Sequence, residues 1–209
     1  MKKCLYLHIG MGKTGTTALQ DFFWDNRKLL ANCDINYPKY GVVANAHHLI
    51  SPHIPPWLKD TWDFKAVSDW APELAKSSQQ RILLSSELIA WAEAGAVRHF
   101  CAEASQWFDI KVVLYLRRPD NIIMASYSQQ IKAGPQRRRI DQIYTEQIDR
   151  FDYLKILAPW ADSVGRENII VRPYERQQFH GDDIRRDFMY HVFDVDLDAR
   201  FTLSTIDSN

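Results

Sequence analysis

The sequence predicts an α/β fold with three layers, in which helices cover both faces of a central, mostly parallel sheet. Two observations lead to this prediction. First, four short apolar runs with β character alternate with longer segments whose apolar residues recur at helical spacing. Second, polar or glycine-containing loops follow directly where these runs end. The predicted strands are 5–9, 82–84, 110–116 and 168–172, and the predicted helices are 17–30, 94–108, 119–131, 151–161 and 183–193.

Sequence features within three of the predicted helices support their assignment. The first helix places Phe22 and Phe23 on one face and charged residues on the other, as a helix packed on a sheet requires. Pro119 is well placed to begin a helix because its missing N–H is not needed there. Gly165 is expected to end the helix that contains Trp160. We therefore predict a single domain over residues 1–209.

Composition limits the classes of function. The chain has 26 Lys and Arg against 26 Asp and Glu, so a general nucleic-acid or membrane-surface binder is not expected. Cys4, Cys33 and Cys101 are widely spaced and odd in number, which predicts neither a zinc site nor a disulfide framework. The first strand begins almost at the N-terminus, and no apolar run approaches the length of a membrane span. We expect a soluble, cytoplasmic protein without integral membrane association.

The loop after the first strand carries the strongest motif. It contains glycines, a lysine and threonines between a predicted strand and a predicted helix. Such a loop can bind a phosphate group, because backbone N–H groups point at the anion and lysine adds a positive charge. The alternative is a plain glycine-rich turn that binds nothing. The candidate binding residues are Gly12, Lys13, Thr14, Gly15, Thr16 and Thr17.

This loop differs from the phosphate loop of ordinary nucleotide triphosphatases. Their motif is G-x-x-x-x-G-K-[ST]. If Gly12, Lys13 and Thr14 ended such a motif, its first glycine would fall at position 7, which is Leu7 inside the strand. The loop is therefore too short for that motif.

Charged residues also follow the second and third of these strands. Glu87 comes after the strand at 82–84, where ligands bind in open parallel sheets. Its carboxylate could accept a proton from a substrate, and it could equally lie in the first turn of a capped helix. The strand at 110–116 ends in Arg117 and Arg118, whereas a magnesium-binding strand would end in an acidic residue. These arginines predict direct binding of an anion, and no metal is expected.

Residues 36–79 are expected to be an irregular insertion. They contain several prolines and the adjacent His47 and His48, whose spacing does not suit a metal pair on a helix. One histidine could line a substrate pocket, or both could be ordinary loop residues. Trp57, Trp62 and Trp70 could contact a flat substrate such as a sugar ring, although buried packing is the commoner use of tryptophan.

Two segments resemble sulfotransferases that use 3′-phosphoadenosine 5′-phosphosulfate (PAPS). They are K-T-G-T-T at 13–17 and L-R-R-P-D-N-I-I-M-A-S-Y-S-Q at 116–129. The resemblance implies the sulfotransferase fold, which is similar to that of P-loop nucleotide triphosphatases. It also implies that Lys13 binds the bridging and sulfonate oxygens of PAPS, and that 14–17 hold the 5′-phosphate. Arg117 and Ser126 would hold the 3′-phosphate, with Arg118 as the alternative arginine.

The resemblance further implies a catalytic base, which is Glu87 or, as the second candidate, His48. The acceptor would be a small molecule or a carbohydrate that offers a hydroxyl or an amine, and 36–79 would line its site. Relatives usually continue into a basic, glycine-containing segment near the 3′-phosphate, and none follows Arg200. Either the chain is truncated, or the loop at 136–139 takes this role.

Two other functions remain open from the sequence. A nucleotide or nucleoside kinase with a degenerate loop would need Mg²⁺ and an acidic strand end. A protein that binds the desulfated product PAP, or another anion, without catalysis would keep the binding motifs and lack transfer activity.

Overall fold

The structure is a computed structural model that describes residues 2–134 and 138–203. Its centre is a five-stranded sheet in the order β2-β3-β1-β4-β5, in which every neighbouring pair is parallel. The strands are β1 (Lys3–His8), β2 (Ile35–Asn36), β3 (Arg81–Ser85), β4 (Phe108–Leu116) and β5 (Ile169–Pro173). The helices are α1 (Thr16–Asp25), α2 (Arg27–Asn32), α3 (Val67–Leu74), α4 (Ala94–Ala104), α5 (Pro119–Ala133), α6 (Ile140–Gln147), α7 (Tyr153–Val164) and α8 (Ile184–Phe193).

Alternate residues of β1 pack on opposite faces of the sheet, as the pleat of a strand requires. Leu5 and Leu7 belong to the core that α3, α4 and α7 cover, with Trp70 and Trp160 among its fully buried side chains. Tyr6 belongs to the second core, which α1, α2 and α8 cover. The predicted three-layer α/β/α architecture with a parallel sheet is thus confirmed.

The order of the strands determines where a ligand can bind. The chain leaves β1 toward β2 on one side of the sheet, and it leaves β4 toward β5 on the other side. β1 and β4 are neighbours, with Leu7 beside Val112. Connections that run in opposite directions from neighbouring strands open a crevice at their carboxyl ends. The loop after β1 and the arginines after β4 both lie at this crevice.

Several predicted boundaries are wrong. The helix predicted at 17–30 is two helices, because the chain breaks at Asn26, whose side chain bonds the backbone of Thr202 in both directions. The short edge strand β2 and helix α6 were not predicted. α4 ends at Ala104, four residues before the predicted end of that helix.

Residues 36–79 contain more regular structure than expected. They include α3 and two short 3-10 turns, His48–Ile50 and Pro56–Leu58. No helix among the described residues is both long and apolar enough to cross a membrane.

Candidate functional site

The loop between β1 and α1 is compact and closely packed. Gly15 has a φ of 71°, and a Cβ atom there would lie 2.8 Å from Ile184 Cδ1 and 3.1 Å from Tyr174 Cε2. Gly10 has a φ of 107°, and a Cβ there would lie 3.1 Å from the Cα of Glu87. Glycine at these two positions therefore lets the loop adopt a left-handed backbone and approach both sides of the site.

The start of α1 is suited to an anion. Gly15 is the N-cap residue, and no described side chain caps the helix there. The first turn contains no acidic residue. Because the first N–H groups of a helix lack partners within it and its dipole is positive at this end, this terminus can bind a phosphate group.

The threonines of the loop differ in what they can contact. Thr14 is fully buried, and its hydroxyl donates to the carbonyl of Met11 at 2.5 Å. That hydroxyl therefore stabilises the loop and is not free to bind the predicted 5′-phosphate. Thr16 and Thr17 line an open cleft together with Gly12, Lys13 and Gly15.

This cleft has a volume of about 840 Å³. One wall is formed by the loop and the start of α1, and Glu87 also lines the cleft. A second wall comes from residues that follow β5 and begin α8. They are Tyr174, Arg176, Phe179, Asp182, Asp183 and Ile184.

Lys13 lies in the loop, and Arg117, which follows β4, contacts the backbone of that loop. Lys13 Nζ donates to Gln129 Oε1 of α5, and its backbone has a φ of 67°. Arg117 does not line the cleft itself, but its Nη1 donates to the carbonyl of Lys13 at 2.9 Å. Its guanidinium carbon lies 5.4 Å from the centre of the Tyr174 ring, within the range of a cation–π contact. Arg117 is therefore held between the loop and the second wall.

The two arginines after β4 point to different surroundings. Arg118 is exposed, and its guanidinium pairs with Asp120 at 2.8 Å. The geometry thus favours Arg117 over Arg118 as the anion ligand. Ser126 is half-buried on α5 and, like Arg117, does not line the cleft.

The loop proposed as a substitute basic segment lies partly outside the described residues, at 136–137. Within the described part, Arg138 pairs with Glu146 at 2.9 Å and Arg139 pairs with Asp141 at 3.1 Å. Both arginines are exposed and bind acidic residues of α6.

The two candidate bases lie side by side. Glu87 Oε1 is 3.9 Å from His48 Nε2, although 39 positions separate them in the sequence. Glu87 Oε2 accepts a hydrogen bond from Gln20 at 2.9 Å, and His48 Nδ1 lies 2.8 Å from the hydroxyl of Ser86. Burial lowers the pKa of His48, while the Glu87 carboxylate opposes this effect. Glu87 lines the cleft, whereas His48 does not.

His47 has a structural role. It is fully buried, and its Nε2 bonds the carbonyl of Pro38 at 2.9 Å while the backbone N–H of Ser85 donates to its Nδ1 at 3.2 Å. Burial lowers its pKa to about 4. The ring is therefore neutral, with its proton on Nε2, and it ties the loop before the first 3-10 turn to the end of β3.

The three tryptophans considered for substrate contact have separate environments. Trp70 is fully buried in the core, so a substrate contact there is excluded. Trp62 stacks on His48, with ring centres 5.6 Å apart and planes at 20°. Trp57 is 75% exposed. Among the described residues, no group of three or more His, Cys, Asp or Glu side chains could hold a metal ion.

Comparison with solved structures identifies the fold. The chain aligns with the crystal structure of a sulfotransferase from Alicyclobacillus acidocaldarius with a TM-score of 0.61, over 92% of this chain and 83% of that chain, at 16% identity. The protein has a sulfotransferase fold. This confirms the resemblance predicted from the two motifs at the level of the fold.

Three further comparisons with known proteins give weaker or no similarity. The crystal structure of mouse sulfotransferase SULT7A1 complexed with PAP aligns with a TM-score of 0.45, at 14% identity, over 96% of this chain and 62% of that one. An uncharacterized protein of Archaeoglobus fulgidus is 34% identical over 79 residues, which are 38% of this chain and 21% of that protein. The match thus spans about a fifth of that relative's length. No protein-family model matches the chain.

Within this sulfotransferase fold, the sequence analysis missed the second wall of the cleft and Gln20. Tyr174 could have been found, since it follows β5 directly at the carboxyl edge of the sheet. Phe179 and Ile184 could not be found in this way, because their place at the cleft depends on tertiary packing. Phe179 packs on Tyr115 and Tyr174, and Ile184 begins α8, which packs on the sheet. Gln20 looks like an ordinary helix residue until the fold places it beside Glu87.

Proposed function

We propose that this protein transfers the sulfonate group of PAPS to a hydroxyl or amine of an acceptor. One observation carries the proposal. In a chain with a sulfotransferase fold, the loop of Lys13 and the carboxylate of Glu87 line the same cleft at the carboxyl ends of parallel strands. A phosphate-binding loop and a proton acceptor in one cleft are what such a transfer requires.

The nucleotide would bind along the loop and the second wall. The 5′-phosphate fits the uncapped start of α1, where Thr16 and Thr17 also lie. Arg117, which already bonds the loop, would use its remaining N–H groups for the 3′-phosphate, with Ser126 as a further donor. The cleft volume of about 840 Å³ lies within the range of small-molecule sites.

Glu87 would accept the proton of the acceptor while the acceptor attacks sulfur. The new bond joins the acceptor oxygen or nitrogen to sulfur, and the bond between sulfur and the bridging phosphate oxygen breaks. Lys13 and the N–H groups of the loop would stabilise the negative charge that develops on the leaving phosphate. This division of roles resembles that of phosphoryl transfer, in which the protein supplies mainly position and charge.

The acceptor would approach from the side of His48 and Trp62. The Trp62 indole is stacked on His48 and also lies 6.1 Å from the ring of Phe64, so these rings together would form the aromatic surface beside Glu87. Indole faces suit sugar rings, which supports a carbohydrate acceptor. The exposed Trp57 lies on the same insertion and would extend this surface.

Calorimetric titration with PAP, and with ATP for comparison, tests the nucleotide part of the proposal. We expect tight binding of PAP without Mg²⁺. We expect Arg117→Ala to abolish this binding, whereas Arg118→Ala should preserve it, because Arg118 points away and pairs with Asp120. The two variants change adjacent arginines, so they control for the general loss of charge.

The same titrations identify the competing functions. Preference for ATP in the presence of Mg²⁺ would replace the proposal with a kinase. Binding of PAP without sulfonate transfer to any member of a broad panel of hydroxyl and amine acceptors would instead indicate a non-catalytic PAP-binding protein.

A further inference from the structure

Gln20 is a buried polar residue that the proposed reaction has not yet used. It is the fifth residue of α1 and is only 4% exposed. Its side-chain Nε2 donates to Glu87 Oε2 at 2.9 Å and to the hydroxyl of Ser85 at 3.3 Å. Among the described residues, Gln20 is the one whose side chain donates to Glu87 at hydrogen-bond distance. It does not line the cleft.

The other oxygen of Glu87 lies near His48. Glu87 Oε1 is 3.9 Å from His48 Nε2, beyond hydrogen-bond distance. The Nδ1 atom of the same ring lies 2.8 Å from the Ser86 hydroxyl, whose oxygen also accepts from the backbone N–H of Leu88 at 3.3 Å. His48 therefore lies beside Glu87, and the hydrogen bond to its carboxylate comes from Gln20.

The position of Gln20 on α1 links the base to the phosphate loop. Gly15 caps the start of this helix, and Gln20 follows about 7.5 Å further along its axis. A helix of this kind is rigid over such a distance. The element that binds the anion at its end therefore also holds the carboxylate from its side.

We propose that Gln20 is a positioning residue, which fixes the Glu87 carboxylate as the proton acceptor and sets its distance from the sulfonate donor. This inference rests on the proposed function for its catalytic meaning. Its structural basis, the hydrogen bond from a buried amide to one oxygen of Glu87, does not depend on that function. A neutral amide suits this task because it holds the carboxylate in place without pairing its charge.

The ionisable groups around Glu87 come from three elements. His48 faces it from the segment before α3, and Lys13 lines the same cleft from the phosphate loop. Tyr37, after β2, lies close enough for the Glu87 charge to raise its pKa, but its hydroxyl donates to the carbonyl of Asn45 at 2.6 Å. None of these groups is altered when Gln20 is replaced.

Carbon-13 NMR of the glutamate carboxyl carbons tests the contact directly, with Glu87→Gln used to assign the resonance. Gln20→Met keeps the length of the side chain and removes the N–H donor. Because a hydrogen bond to the charged form is lost, we expect the Glu87 titration midpoint to rise by about one pH unit. Ser85→Ala removes the other partner of Gln20 and should leave the midpoint unchanged. An unchanged midpoint in Gln20→Met would overturn the inference.

A second variant covers the case in which Gln20→Met does not fold. Gln20→Glu keeps the shape of the side chain and places a second carboxyl group beside Glu87. Two carboxyl groups at this distance share a proton, so one of them should titrate well above the ordinary glutamate range. Two ordinary, independent titrations would overturn the inference.

The kinetic readout separates this inference from the proposed function. The acid limb of the kcat/KM profile for sulfonate transfer from PAPS should move upward in Gln20→Met by the same amount as the NMR midpoint. On that limb this lowers kcat/KM about tenfold, while PAP affinity stays that of wild type. A wild-type profile in an active Gln20→Met would overturn the positioning role. Absence of PAP binding and transfer in the wild type would overturn the proposed function instead.

Discussion

Lys13 is the residue whose side chain brings a positive charge into the phosphate loop. Its ammonium group bonds only the exposed amide of Gln129 among the described residues, so it contributes little to folding. We expect Lys13→Ala to lower the rate of sulfonate transfer by about 10²–10³-fold, the usual cost of losing one contact to a developing negative charge. Steady-state turnover and thermal unfolding of the variant measure the two effects separately.

The matched control is Lys132→Ala, which removes an exposed lysine of α5 outside the cleft. It should turn over at the wild-type rate. Near-normal turnover in Lys13→Ala would mean that the loop does not bind the donor. A large drop in its unfolding temperature would mean that Lys13 is needed for the fold.

Some residues of the candidate site could be predicted from the sequence, and others could not. Glu87 and Arg117 were identifiable because each lies within two residues of the end of a strand, and ligands bind at the carboxyl edge of a parallel sheet. The sequence could not show which of Arg117 and Arg118 is the better anion ligand. That depends on the fold, in which Arg117 donates to the carbonyl of Lys13 and Arg118 pairs with Asp120. Likewise, only the fold shows that Trp70 lies in the core.

At the level of elements, α8 forms part of the second wall of the cleft and is tied to the sheet by Asp187. This carboxylate is fully buried. It accepts hydrogen bonds from the Tyr115 hydroxyl of β4 at 2.7 Å and from Arg172 of β5 at 2.8 Å. It also accepts from the backbone N–H of His180 at 3.0 Å. Burial alone would raise the pKa of Asp187, but these donors outweigh it and lower the pKa.

We expect Asp187→Ala to destabilise the protein by about 3–5 kcal/mol, because it leaves the Arg172 guanidinium without its partner. Urea unfolding followed by circular dichroism measures this loss. Asp198→Ala provides the comparison, since Asp198 forms an exposed pair with Arg200 and its removal should not measurably change stability. Equal stability of the two variants would contradict the role of Asp187 in fixing α8.

Strands and helices were predicted correctly where the local pattern of apolar residues determines them. β1 and β4 are apolar runs buried on both faces, so their identity did not depend on distant contacts. The break between α1 and α2 does depend on such a contact, because Asn26 bonds Thr202, which lies 176 positions away. β2 is too short to have a pattern and exists through its pairing with β3.

For the molecule as a whole, the strand order brings the parts of the site together. β1 lies in the middle of the sheet with β3 and β4 as its neighbours. The loop after β1 therefore lies between Glu87, which follows β3, and Arg117, which follows β4. Each of these residues could be found from its own strand, whereas their arrangement around Lys13 follows only from this order.

The two buried histidines His8 and His47 make the stability of the whole fold depend on pH. Burial lowers the pKa of His8 to about 3 and that of His47 to about 4, against 6.5 for an ordinary histidine. Below pH 6.5 the unfolded chain therefore binds two protons that the folded protein does not bind. The free energy of unfolding is highest above pH 6.5 and falls as the pH is lowered toward 4.

The expected slope approaches about 1.4 kcal/mol per pH unit for each histidine, or about 2.7 kcal/mol per pH unit for both. Urea unfolding between pH 6 and pH 5 measures it, in a range where most carboxylates are ionised in both states. His8→Asn and His47→Gln keep the hydrogen bonds to Ser85 and Pro38, and each should lower the slope by about 1.4 kcal/mol per pH unit. His99→Gln, which changes an exposed histidine, should leave the slope unchanged. An undiminished slope in the double variant would show that groups other than His8 and His47 bind these protons on unfolding.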